Sequence, residues 1–489
     1  MDTTSKSNLQ QLELQTNTIS EPTHQDVQTE LNPRQQKHLE TLIARYTKRT
    51  KTSKQLAQKY RPVFANNRGS VGFNFLLKEM FYPILTERSL GSRIWDVDGN
   101  EYIDLTGGYG IHLCGYNPPF IKKALSEQLE YGIQSGAQAA LAGEVAELIS
   151  ELTGMERVTF CSVGTEAMML ALRIARAATE RNKIALFSGS YHGIFDGTLV
   201  KAETTDGNPR GIPEYPGVTQ NTAEDVLVLE YGSPESLEII KTYEQELAAV
   251  LVEPVQQHRL GFQPKAFIQQ LRQLTKALGI PLIFDEMNTG FRIHPGGAQA
   301  WFEVEADIAT YGKIVGGGMP LAAVAGKAVY MDRIDGGVWN YGDTSYPHVP
   351  ITWSGTSYCR HSLSLVAARA LLQHLKMQGA TLQEQLNQLT SQFVERLNAY
   401  FDAEKLPIYL SNFGSFFNAN VSENSELVTE PTFLIGLKLI FHHMIDRGIL
   451  MPKGDGFLSQ AHTEQDIDLI VQAVKDSVRE LQEGDFLPS

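Results

Sequence analysis

Five short segments carry side chains that could do chemistry together. In TYGKIVGGGMPLAAVAG, Lys313 stands among glycines and apolar residues. Ile314, Val315, Met319, Leu321 and Val324 read as buried, so desolvation would lower the lysine's proton affinity and leave a nucleophilic amine. A nucleotide loop of the form GxxxxGK[ST] would need Gly at 307 and Ser or Thr at 314, where the chain has Asp307 and Ile314. In LIFDEMNTGFR, Asp285 closes an apolar strand, at the edge where open α/β sheets bind ligands. Glu286 beside it reads as structural, paired with an arginine, and Met287 follows. Ser162-Val163-Gly164-Thr165 forms a strand-to-helix junction with two hydroxyls, a glycine for close backbone approach and a helix dipole suited to a dianion. Tyr191-His192 follows a strand, and either ring could stack on a flat ligand. Glu253 closes AAVLVEPV.

Taken singly, these are a surface lysine, a solvated acidic pair, an ordinary turn, a packing ring and a strand-end carboxylate. Taken together they meet the needs of pyridoxal 5'-phosphate (PLP). That cofactor requires an amine for its aldehyde, a carboxylate to keep its pyridinium protonated, helix N–H groups for its phosphate and a flat side chain over its ring. Lys313, Asp285, the Ser162–Thr165 turn and Tyr191 or His192 would supply them, with Glu253 near the ring hydroxyl.

Positioning these groups requires alternating strands and helices. RVTFCSV (157–163), IALFSG (184–189), AAVLVEPV (248–255), PLIFDE (281–286) and ADIATYG (306–312) read as strands. Helices are expected over 137–153, over 164–178 and across KAFIQQLRQLTKALG, whose Phe267, Ile268, Leu271, Leu274 and Leu278 make one buried stripe. The pattern predicts an α/β fold with a mostly parallel sheet covered on both faces. Helices at 381–404 and 433–448, strand-like IYLSNFGSFFNANV and a capped helix at 464–482 predict a smaller α+β domain.

The expected organisation is a disordered linker at 1–32, an N-terminal helical segment at 33–88, the first part of the small domain at 89–136, the large domain at 137–372 and the C-terminal small domain at 373–489. Residues 33–60 are basic and amphipathic, either a solvated helix face or an interdomain docking element. The 489 residues carry a formal charge of −14, which argues against nucleic acid and anionic membrane as partners. Three widely spaced cysteines, no CxxC, no secretory signal and no long apolar run predict a cytoplasmic protein without a disulfide framework or metal site.

In order along the chain, SVGTEAMMLALRIAR, GSYHG, VLVEPV, LIFDEMNTGFR and YGKIVGGGMPLAAVAGK resemble class III PLP-dependent aminotransferases. The glutamate-1-semialdehyde aminomutase branch is the most similar, and GDGFLSQAHTEQDID looks like its C-terminal signature. The likeness spans about Gly91 to Leu481. It implies PLP fold type I, with a small domain built from both chain ends, and a homodimer. By motif, Lys313 would be the Schiff-base lysine and Asp285 the pyridinium partner. Gly164, Thr165 and Ser162 would hold the phosphate and Tyr191 would stack on the ring. Gly355-Thr356 looks like the segment that reaches the neighbouring subunit's phosphate. Two departures lie near the substrate and count against the aminomutase's own small substrate. Met287 replaces the family's β-branched residue, and SYCRHSLS follows Thr356 where that branch has an SGNP-like run.

RQQKHLETLIARYTKRTKTSKQLAQKYRP and KEMFYPILTERSLGSRIWDVDGNEYIDLTGGYGIHLCG further resemble aminotransferase domains of hybrid polyketide/nonribosomal peptide synthetases. That resemblance implies transfer of an amino group from glutamate or glutamine to a β-keto acyl thioester on a carrier-bound phosphopantetheine. The competing expectations are a stand-alone glutamate-1-semialdehyde aminomutase and a non-catalytic protein that keeps the fold for interaction only.

Overall fold

The structure, a computed structural model, describes residues 29–66, 72–135, 139–205, 208–422 and 424–488. Most of the expected linker, residues 1–28, lies outside them. Its last residue, Asn32, starts the first helix. The Asn32 carboxamide accepts from Arg34 and Gln35 N–H, and the Gln35 side chain returns a bond to Asn32 N–H, closing a capping box before helix Pro33–Arg49.

At the centre is a seven-stranded sheet in the order Arg157–Cys161, Ala322–Gly326, Ile308–Tyr311, Leu282–Asp285, Leu247–Val252, Lys183–Phe187, Val226–Leu229. Every residue of Leu247–Val252 and Leu282–Asp285 is buried, as expected of parallel strands with helices on both faces. The five strands expected from the sequence are all present. Val226–Leu229 and Ala322–Gly326 were not among them. The second is antiparallel to both neighbours, and its AAVAG side chains are too small to mark a strand by composition. The strands from 157, 282 and 308 end on one edge of the sheet, and this edge carries the turns that hold the candidate site.

The chain ends assemble together. Strand Ile449–Leu450 pairs in parallel with Glu101–Asp104, and helix Pro33–Arg49 packs on helix Pro431–Asp446. Across that contact His38 Nε2 meets His443 Nε2 at 3.0 Å and Arg45 pairs with Asp446 and Glu480. The hairpin Ile408–Phe413/Phe416–Val421 takes Asp455–Phe457 as its third strand. Thr463 and Asp466 form the expected capping box of the last helix, Glu464–Glu483. No helix among the described residues is long and apolar enough to cross a membrane.

Candidate active site

Lys313 follows strand Ile308–Tyr311 with φ +48°, a left-handed backbone that a lysine adopts at a cost on the order of 1 kcal/mol. Its amine donates to the side-chain carbonyl of Asn288. Burial pushes that amine down to about 8, and the positive charge of Arg292 adds to the effect against Asp285 and Glu253. Lowered this far, the amine sheds its proton far more readily than an ordinary lysine, and its neutral form is a nucleophile and a proton acceptor.

Asp285 ends strand Leu282–Asp285 and is 3% exposed. One carboxylate oxygen lies 2.7 Å from His192 Nδ1, and the other accepts from Met287 N–H at 3.1 Å. His192 Nε2 is buried and has no partner among the described residues. Glu253 accepts the backbone N–H groups of Tyr191 and Gln257, each at 3.1 Å, and so fixes the turn that presents Tyr191 and His192. Its burial pushes the carboxyl up to about 7. The Tyr191 ring is partly exposed. Glu286 is fully buried but does not meet the arginine expected from the sequence. It accepts from Ala298 N–H, Gln299 N–H and the Thr289 hydroxyl, because the 285–299 turn folds backbone donors onto it.

Helix Gly164–Thr179 begins at the expected junction. The Ser162 and Thr356 hydroxyls are 3.3 Å apart within the one chain, and Thr165 Oγ1 accepts from Ile194 N–H. Glycines make room here. A Cβ at Gly164 would come 2.9 Å from the Met287 sulfur, one at Gly312 would come 2.4 Å from it, and one at Gly193 would come 2.5 Å from Thr165 Oγ1. The structure thus brings Lys313, Asp285, His192, Glu253 and Met287 to one sheet edge, beside Ser162, Gly164, Thr165 and Thr356.

Sequence reasoning missed Asn288, Gln257 and Arg292. Arg292 is 1% exposed. It donates to Asn288 O at 2.7 Å, to Ser415 Oγ at 3.1 Å and to Gly110 O, and its guanidinium lies 4.9 Å from the Phe457 ring centre. Among the described residues no carboxylate pairs with it, and burial pushes it down to about 9. The signal was present in NTGFR, but an arginine four residues past Asn288 gains meaning only once Gly110 and Ser415 are seen beside it.

These residues fit PLP. They combine a buried amine of lowered proton affinity, a buried carboxylate already held by an imidazole, and a glycine-lined helix start with hydroxyls around it. Fold and site define a PLP-dependent enzyme of fold type I. The model of the class-III aminotransferase family matches residues 77–459, and the chain belongs to that family. Glutamate-1-semialdehyde 2,1-aminomutase of Desulfitobacterium hafniense is 34% identical over 408 residues, covering 82% of this chain and 91% of that protein. A solved transaminase with PLP bound superposes with TM-score 0.77 at 28% identity, over 89% of this chain and 99% of the other. The β-phenylalanine aminotransferase of Variovorax paradoxus gives 0.74 at 26%, over 91% and 98%. The chain is a PLP-dependent aminotransferase.

Proposed function

We propose that this enzyme moves an amino group from glutamate or glutamine to a β-keto acyl thioester held on a carrier protein, leaving a β-amino acyl chain. One observation carries this reading beyond the family assignment. The helices Pro33–Arg49 and Lys51–Tyr60 precede the region that matches the family; the first packs on helix Pro431–Asp446 and the second is tied to Asp98 through the N–H groups of Thr52 and Ser53. From 33 to 61 they hold nine lysines and arginines against one glutamate, in a chain of net charge −14. Lys37, Lys48, Lys51, Lys59 and Arg61 are exposed, a face suited to an acidic carrier. The likeness to a β-phenylalanine aminotransferase agrees with amination at a β carbon.

PLP, when bound, supplies an electron sink for the carbon that gains or loses a proton. In this reading Lys313 binds the cofactor through its amine and, once free, carries the proton to and from the substrate carbon as general base and acid. Asp285, steadied by His192, keeps the ring nitrogen protonated. Gly164, Thr165 and Ser162 would hold the phosphate, Thr356 would reach the phosphate of a second copy, and Met287 and Tyr191 would bracket the ring. A second copy of the chain would complete the site by covering the exposed Trp339, Tyr341, Tyr346, Trp353 and Tyr358, in the stretch of sequence that contains Thr356.

A second reading, glutamate-1-semialdehyde aminomutase, is favoured by the 34% identity to such enzymes. Purified enzyme is offered glutamate-1-semialdehyde in one assay and a β-keto acyl carrier protein with glutamate or glutamine in another, with products read by mass spectrometry. Amination of the carrier-bound chain alone supports the first reading. Turnover of the semialdehyde alone overturns it. In either case Lys313→Ala abolishes turnover and the visible band of the bound cofactor.

A further inference from the structure

We propose that Asn288 is a positioning residue, whose side-chain carbonyl holds the Lys313 amine whenever that amine is not bonded to the cofactor. The proposal rests on Lys313 being the cofactor-binding lysine and adds a residue to that machinery. Asn288 is 8% exposed, and its orientation is fixed from both sides. Its backbone carbonyl accepts from Arg292 Nε at 2.7 Å. With Oδ1 turned to Lys313, its NH2 points to Gln257 Oε1 at 3.4 Å, and the Gln257 NH2 lies 3.3 Å from His258 Nε2. Gln257 is itself tethered, since its N–H donates to Glu253 and its carbonyl accepts from Asn418.

The row has a direction. Burial, with Lys453 nearby, pushes His258 down to about 4, so its ring is neutral, and in the tautomer protonated at Nδ1 its Nε2 accepts from Gln257. An acceptor at that end sets the Gln257 amide, which sets the Asn288 amide, which offers an oxygen to Lys313. A flipped Asn288 would instead donate an N–H to the neutral amine and tie up the lone pair that takes the proton.

The holding group is uncharged, and that matters. The charged groups acting on the amine are Arg292, Asp285 and Glu253. Asp285 is committed to His192, Met287 N–H and the Thr310 hydroxyl, and Glu253 to two backbone N–H groups. A neutral carbonyl can therefore hold the amine without drawing a proton onto it. A carboxylate in the same place would favour the ammonium form, which neither attacks the cofactor nor accepts a proton.

To test this, the holoenzyme is converted to its aminated-cofactor form with excess glutamate or glutamine, whichever is the working donor. Acetylation of the freed Lys313 is then followed against pH by peptide mass spectrometry. Asn288→Asp should move the half-maximal pH upward by about one unit, the size of shift a close carboxylate gives. Asn288→Ala should keep the visible band while Lys313 is acetylated faster, and kcat should fall about tenfold with the donor KM within about twofold. Wild-type labelling profiles and kcat in both variants would overturn the proposal. If Asn288→Asp does not fold, the alanine variant decides alone. Persistence of the visible band in Lys313→Ala would instead overturn the underlying assignment of Lys313.

Discussion

His192 Nδ1 and Asp285 Oδ2 lie 2.7 Å apart, both side chains almost sealed from water. The carboxylate sits in the protein with a hydrogen-bond partner already in place, so the site does not depend on the cofactor to satisfy it. Replacing His192 with Ala leaves Asp285 underbonded in a dry place. A lost hydrogen bond to a charged group costs about 2 kcal/mol. The urea midpoint of His192→Ala should drop accordingly, and its cofactor should dissociate more readily on dialysis. An unchanged midpoint would show that Asp285 does not depend on the pair.

Burying the Lys313 amine costs stability. Its proton affinity is lowered to about 8 from an ordinary 10.5, so the folded protein binds fewer protons than the unfolded chain between those values. Stability from this group therefore rises with pH through that window, and below about pH 8 the full penalty applies. Lys313→Met in cofactor-free protein should be more stable than wild type at pH 7 by about 2 kcal/mol, allowing for residual hydration. The advantage should shrink as pH rises from 8 toward 10. Urea titrations at pH 7 and pH 9.5 check both the sign and the trend.

Met287 occupies space that two glycines leave open, Gly164 on one side and Gly312 on the other. Gly164→Ala should displace the Met287 thioether and weaken PLP affinity about tenfold, because the added methyl also crowds the helix start. Pairing it with Met287→Val, which withdraws the sulfur, should restore most of the loss. The four PLP dissociation constants of the double-mutant cycle check this, and strictly additive effects would contradict the contact.

The legible part of this protein was local. Lys313, Asp285 and the Ser162–Thr165 turn each sit where one strand ends or one helix begins, and that placement shows in a few consecutive residues. The strands between them were legible because fully buried strands read as apolar runs. What escaped needed the fold. Ala322–Gly326 is a strand only because its small side chains fit beneath helix Gly164–Thr179. Asn288 and Gln257 are ordinary amides until the ends of two parallel strands bring them together. Glu286 was expected to meet an arginine because a buried carboxylate needs donors, and the turn at 297–299 supplied them from the backbone instead.

Arg292 joins carbonyls at Gly110 and Asn288 to a hydroxyl at Ser415. One guanidinium thus clips the early segment, the central turn and the late hairpin to each other, one residue away from the lysine's resting place. A hinge between the outer parts and the sheet would have to break one arm of that clip, so a single buried side chain ties three distant stretches of sequence into one body.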